Sequence, residues 1–241
     1  RTLHPFRRQG EWLQGMPQPV VDDTNILVML DNAGHLRLSE RGMTLREMVR
    51  RDVRKLIDGL VLIDIRWKKI GDTMAKELAD LLRKCSKVYE LDLRDNLIGC
   101  IGCMEISKAL AQNHSCCLHT LNLSGNKIAD LGAAVLSSMI ATNTSLTHLD
   151  LSGNKLEQQA MQGIGGGLRG NSTLHTLILD ENYFSDDGAI ELGWALSYNH
   201  SLRKLTLCGN VTCAPLSCVF KSSCFLCLCT SAWARGGEGT S

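Results

Sequence analysis

No stretch of the 241-residue chain stays apolar for the roughly 18 residues that a membrane-spanning helix needs, and the first residues show no basic start followed by an apolar run. The expectation is a soluble, cytoplasmic protein with no membrane partner. The chain starts at Arg1 rather than Met, so it reads as a piece of something longer. Charge of one sign is also missing: 26 basic and 25 acidic residues leave a formal net charge of +1. No global field then draws the chain to nucleic acid or an anionic surface, and no nucleic-acid partner is expected. A disulfide framework is lacking too. Of 11 cysteines, five (Cys213, Cys218, Cys224, Cys227 and Cys229) crowd into the last 29 residues, and irregular spacing suits reduced thiols. What is present is 44% hydrophobic and 21% charged residues, enough to bury a sizeable core.

The strongest positive signal is an internal repeat. Leu118, Leu121, Leu123 and Asn126 recur 28 residues on as Leu146, Leu149, Leu151 and Asn154, then as Leu174, Leu177, Leu179 and Asn182, then as Leu202, Leu205, Leu207 and Asn210. Upstream, Val88, Leu91, Leu93 and Asn96 fit after a 30-residue step whose two extra residues are Cys116 and Cys117. Leu60, Ile63 and Ile65 fit one unit earlier, with Lys68 in the Asn position. Apolar residues two apart face one side of a short strand, and an Asn at the strand exit satisfies loop backbone groups that no sheet partner reaches. The spacing L-x-x-L-x-L-x-x-N resembles the leucine-rich-repeat signature, and the 28-residue unit is similar to the ribonuclease-inhibitor-like, intracellular class of that family. The resemblance covers about residues 60 to 210. It implies an α/β solenoid, a curved horseshoe arc with parallel strands on the concave face and helices on the convex face.

The second half of each unit carries helical spacing. One apolar column reads Leu78, Ile106, Leu136, Ile164 and Leu192; a second, four residues on, reads Leu82, Leu110, Ile140, Leu168 and Leu196. Asn113, Asn143, Asn171 and Asn199 follow, placed to close the helices in the left-handed conformation. The Asn-x-Ser/Thr triplets at these four positions match glycosylation acceptors, but they recur because the repeat does. Gly163, Gly165, Gly166 and Gly167 fall inside one helix, which should be the weakest of the arc.

The ends differ from the repeats. Residues 1–59 read as an irregular segment with a hairpin around Asp31–Gly34 and a capping helix over 44–58, where Thr44 and Glu47 have capping-box spacing. Residues 211–241 form a Cys-, Ser- and Gly-rich tail outside the repeat, expected to be disordered. With no helix columns after Asn210, the arc is expected to end in mid-repeat with an exposed apolar edge.

No cofactor or metal is expected. The glycine run lacks a following Lys-Ser/Thr pair, and Cys100/Cys103 and Cys224/Cys227 are half zinc sites without companions. His148 with Asp150 and Ser124 or Ser152 mimics a catalytic triad, but on an open strand surface without an oxyanion pocket, so no enzyme is expected. The expected function is a non-enzymatic module or scaffold that holds a protein partner on the concave face. Candidate contacts are Asp64, Arg66, Trp67, Glu90, Asp92, Arg94, Asn122, His148, Asp150 and Asp180, an acid-rich stripe with arginines and an aromatic at one end. Ordinary cross-strand pairing of Asp with Arg is the competing reading. The family resemblance also implies two alternatives: a regulator that stimulates a small GTPase, as proteins activating the Ran GTPase do, and a fragment of a repeat-containing immune sensor; no motif of the Ran-activating proteins is matched, and Arg66 or Arg94 is the residue that would act on a GTPase here.

Overall fold

The computed structural model describes residues 61–211 throughout, together with the backbone course of the strands at 27–30, 35–38, 43–44 and 226–228. The elements run β1 (Leu27–Leu30), β2 (His35–Leu38), β3 (Met43–Thr44), β4 (Leu62–Asp64), α1 (Gly71–Leu82), β5 (Glu90–Asp92), α2 (Cys100–Gln112) and β6 (Thr120–Asn122). They continue with α3 (Ala129–Thr142), β7 (His148–Asp150), α4 (Gln158–Gly170), β8 (Thr176–Ile178), α5 (Asp186–Leu196), β9 (Lys204–Thr206) and β10 (Leu226–Leu228). All ten strands belong to one open sheet in the order β10-β9-β8-β7-β6-β5-β4-β2-β1-β3.

From β4 to β9 the strands pair parallel, with Leu62, Glu90, Thr120, His148, Thr176 and Lys204 side by side. This is the register that the repeat dictates, the 30-residue step included. One residue on, Ile63, Leu91, Leu121, Leu149, Leu177 and Leu205 are buried, as are Ile65, Leu93, Leu123, Leu151, Leu179 and Leu207 beyond them. Both helical columns face the same core, with Leu78 to Leu192 and Leu82 to Leu196 no more than 3% exposed. A further column not singled out from the sequence, Ile70, Ile98, Ile128, Leu156 and Phe184, packs beneath the turns that lead into the helices. Strands sit about 4.8 Å apart and packed helices about 10 Å, so stacked units curve with the strands inside.

Two asparagine ladders supply the polar half of the repeat. At the strand exits Asn126 is buried; its Nδ2 donates to Leu93 O (3.0 Å) and Leu123 O (2.8 Å), and its Oδ1 accepts from Asn96 N (3.1 Å) and Ile98 N (2.9 Å). Asn96, Asn154 and Asn182 are buried in the same way, with amide donors on carbonyls of their own and the preceding repeat. Each stitches two units together. At the helix ends the expected left-handed cap does not occur. Asn113, Asn143 and Asn171 have φ of −91°, −76° and −88°, and closure comes from their side chains. Asn171 Nδ2 donates to Ile140 O (2.8 Å) while its Oδ1 accepts from Thr173 N (2.9 Å) and Leu174 N (2.7 Å). Asn199 repeats this pattern on Leu168 O and Leu202 N. The Asn-x-Ser/Thr triplets are thus Asx turns, and Asn113, Asn171 and Asn199 also bridge to the preceding repeat.

At the margins, β1 and β2 pair antiparallel, Leu30 opposite Leu36, and β2 runs parallel beside β4, so this hairpin occupies the sheet edge before the first repeat. The helix expected over 44–58 lies outside the described residues, apart from Thr44 in β3. Beyond Asn210, β10 pairs parallel with β9, Cys227 opposite Leu205, where the sequence reading placed no element. The glycine-rich segment forms a 13-residue helix, α4. A Cβ on Gly167 would stand 2.5 Å from Ser137 O of α3, so this position is glycine because two helix backbones meet there.

Candidate functional site

The outward side chains of β4 and β5 bring five of the expected contacts together: Asp64, Arg66, Glu90, Asp92 and Arg94. Arg66 forks onto Asp64 through Nε (2.8 Å) and Nη2 (2.9 Å) and reaches Asp92 Oδ2 at 3.6 Å. Arg94 Nη2 donates to the same Asp92 oxygen at 2.9 Å, leaving Arg94 Nε buried without a partner. The hydrogen bond to Asp64, and then the charges of Asp64, Asp92 and Glu90, hold the Arg66 guanidinium above its ordinary pKa. Asp92 is only 7% exposed and therefore belongs to the support of the site rather than its contact surface.

The acid-rich column has a local cause as well. Side-chain oxygens of Asp92, Asn122 and Asp150 accept the backbone N–H two residues on, from Arg94 (3.2 Å), Ser124 (2.9 Å) and Ser152 (3.0 Å). These Asx turns end the strands. Asp180 Oδ1 instead accepts Cys208 N of the next repeat at 2.7 Å. Asn122, His148, Asp150 and Asp180 thus lie one to three strands away from the β4–β5 cluster and do not join it. The triad geometry is not formed: Ser124 Oγ and Ser152 Oγ donate to Asn122 (2.8 Å) and Asp150 (2.7 Å), and His148 Nδ1 meets Thr147 Oγ1 at 2.8 Å. Cys103 is buried beside Ser107, and burial pushes its thiol up to about 12, far from a metal-binding thiolate. Among the described residues no three His, Cys, Asp or Glu side chains converge as a metal site.

Trp67 is the unusual member. The first residue past each strand's last outward side chain has a positive φ: Trp67 57°, Asp95 57°, Gly125 65°, Gly153 62°, Glu181 54° and Gly209 72°. Glycine suits this left-handed turn, and an aromatic there is strained. Trp67 nevertheless holds the conformation, 60% exposed at the edge of the cluster. Its Nε1 donates to Asp95 Oδ2 at 2.6 Å, and the Arg66 and Arg94 guanidiniums lie 5.0 and 5.8 Å from the ring centroid. At the other end of the same strands Tyr89, half-exposed, stacks on His119 with centroids 4.4 Å apart. Sequence reasoning named Trp67 but missed its strain, although the signal was present: Gly125 and Gly153 stand at the equivalent positions. It also missed the exposed apolar side chains Ile190 and Trp194 on α5 and Tyr198 just past its end, because its helical columns tracked buried positions only.

Comparison with known proteins places this geometry. The family model described as "Leucine Rich repeat" matches residues 114–137, 142–165 and 170–193. No curated protein matches the chain in sequence. Among solved structures, the actin-binding site 2 of leiomodin-1 is 18% identical, with a TM-score of 0.50 over 64% of this chain and 87% of that one. An internalin from Listeria monocytogenes is 20% identical, with a TM-score of 0.38 over 75% of this chain and 56% of the internalin. A TLR13–ssRNA13 complex gives 17% identity and a TM-score of 0.31, over 73% of this chain and 32% of that one. At such identities the leiomodin likeness is one of fold. The repeat register, the asparagine ladder at the strand exits and the family match together make the chain a leucine-rich-repeat protein.

Proposed function

We propose that the chain is a non-enzymatic protein-binding module of the ribonuclease-inhibitor-like class, cytoplasmic, whose partner is held at the first-repeat end of the concave face around Trp67. The observation that carries this reading is an exposed tryptophan kept in a strained backbone conformation and clasped by two arginines. Strain of this kind, about 1–3 kcal/mol, persists where surrounding structure over-determines it, and an exposed Trp beside Arg is the commonest composition of a binding hot spot. Asp64 and Asp92 fix the arginines before any partner arrives, which lowers the entropy lost on association. The leiomodin segment, named for binding actin, is a precedent for a protein ligand on this fold. A nucleic acid fits less well. The outward strand positions carry Asp64, Glu90, Asp92, Asp150 and Asp180 against Arg66, Arg94 and Lys204, an acidic balance unsuited to phosphates. The GTPase-activating alternative gains nothing from the geometry, since both candidate arginines are already engaged by carboxylates.

The test is quantitative affinity capture from cell extract with the full chain, comparing wild type with Trp67→Ala, Glu90→Lys and Thr176→Ala. The expected result is a partner lost with the first two variants and retained with the third. Capture that is the same in all four would refute the placement.

A further inference from the structure

Charge is divided unequally between the two edges of the solenoid. The segments that run from helix ends into strands, 83–90, 111–120, 141–148, 169–176 and 197–204, carry Arg83, Lys84, Lys87, Arg169, Arg203 and Lys204. They also hold every histidine between residues 61 and 211, and a single carboxylate, Glu90, which belongs to the β4–β5 cluster. On the opposite edge, from strand exits to helix starts, carboxylates occur in every unit from Asp72 to Asp186, mixed with Lys68, Lys69, Lys127 and Lys155. The formal net charge of +1 is thus the sum of two unlike edges, one mixed and one basic. The acidic balance of the outward strand positions does not extend to the basic edge. On the basic edge Arg83 is engaged by Asp80 and Glu105. Lys87, Arg169, Arg203 and Lys204 make no ion pair among the described residues, and the first three are exposed. On α5 the last carboxylate before this edge is Glu191, two turns ahead of Tyr198.

Cations often gather at helix ends because they bond the last carbonyls. Here asparagines hold those carbonyls instead. Asn113 Nδ2 donates to Leu82 O (2.7 Å) and Cys85 O (2.6 Å), and Asn199 Nδ2 to Leu168 O (2.7 Å) and Asn171 O (2.8 Å). Aromatic faces lie on the same edge. Tyr89, half-exposed, stacks on His119, and the row continues strand by strand through Thr147 and His175 to Arg203, each N–H bonded to the carbonyl of the member before it at 2.8–2.9 Å. At the far end Tyr198 is 65% exposed, with the Arg169 guanidinium 6.0 Å from its ring centroid. Between the two groups of cations the edge has no carboxylate, and Thr144 and His148 are exposed.

We propose that this edge binds a single-stranded nucleic acid, independently of the partner site around Trp67. Phosphates meet Lys87 at one end and Arg169, Arg203 and Lys204 at the other, while unpaired bases stack on the Tyr89–His119 pair and on Tyr198. Exposed rings beside a line of cations suit a single strand because stacking needs a free base face, which a duplex does not offer. An acidic protein segment would engage the cations and leave the rings unused.

The test is fluorescence anisotropy of short labelled oligouridylate and oligothymidylate with the full chain, at about 50 and 200 mM salt, beside a labelled duplex and a polyglutamate peptide. Single strands should bind, with affinity falling about tenfold or more between the two salt concentrations. Lys87→Glu and Arg203→Glu should each weaken them severalfold, as should Tyr89→Ala and Tyr198→Ala. Lys127→Glu and Lys155→Glu, which make the same charge change on the opposite edge, should leave affinity within about twofold of wild type. All six side chains are exposed, and circular dichroism should report the same fold in every variant. Absence of single-strand binding at the lower salt would overturn the proposal, as would equal losses from the variants of the opposite edge or a duplex bound as tightly as the single strands. So would polyglutamate binding as tight as that of the oligonucleotides and indifferent to both tyrosines, because the edge would then serve an acidic protein.

Discussion

Buried polar side chains of single residues determine how strongly neighbouring repeats hold together. Asn126 satisfies two backbone N–H groups and two carbonyls across a repeat boundary, all away from water. Leaving such groups unpaired costs about 1–3 kcal/mol each, so Asn126→Ala should destabilise the chain by about 3 kcal/mol or more in urea unfolding. Half-buried Asn122, four residues earlier, bonds only within its own turn and should cost far less when changed to Ala. Cys103 gives a pH signature. Its folded pKa is raised from 9.0 to about 12 by burial, so the folded state prefers the thiol and the unfolded chain releases the proton first. The stability from this group is complete below about pH 9 and is lost as pH rises toward 12, amounting to about 4 kcal/mol across that window. Unfolding at pH 8 and pH 11 should show a smaller loss for Cys103→Ala than for wild type. In native protein at pH 8, iodoacetamide should modify exposed Cys117 well before Cys103.

At the scale of elements, the glycines of α4 divide into two kinds that composition alone does not separate. Gly167 lies where Ser137 O approaches to within 2.5 Å of a would-be Cβ, whereas Gly166 faces open space. Gly166→Ala should therefore stabilise the chain by about 1 kcal/mol through helix propensity, and Gly167→Ala should destabilise it by forcing α3 and α4 apart; paired thermal melts would show opposite shifts. Strand register was fully legible in the sequence, because a two-residue alternation with a recurring Asn leaves one alignment of neighbours. The buried helical columns were legible for the same reason. The way the helices close was not: the asparagines were recognised as terminators, but the side chains of Asn113, Asn171 and Asn199 act on carbonyls about 30 residues away, a contact no local pattern encodes. Strand β10 escaped notice because its 22-residue offset from β9 breaks the period.

Across the whole molecule, the repeat explains the scaffold and its exception at Trp67 marks a surface. Trp67 interrupts a column of turn residues that accepts glycine. Of the ten contacts expected from sequence, the β4–β5 group converges with Trp67, while Asn122, Asp150 and Asp180 are committed to turns and to the next repeat. An acid-rich stripe was readable from the columns; the prior use of its oxygens by backbone N–H groups was not, since it depends on side-chain rotamers at the strand exits. The same turn column offers a variant that separates binding from folding. Glycine is the natural occupant at Gly125, Gly153 and Gly209, so Trp67→Gly relieves strain instead of creating it. The decisive measurement is the dissociation constant of the captured partner for Trp67→Gly beside that for Glu181→Gly, which relieves equivalent strain away from the cluster, with thermal unfolding of both. The account predicts that both variants unfold at or above the wild-type temperature, while only Trp67→Gly loses affinity, by about 30-fold or more. Equal affinity of the two variants would contradict it.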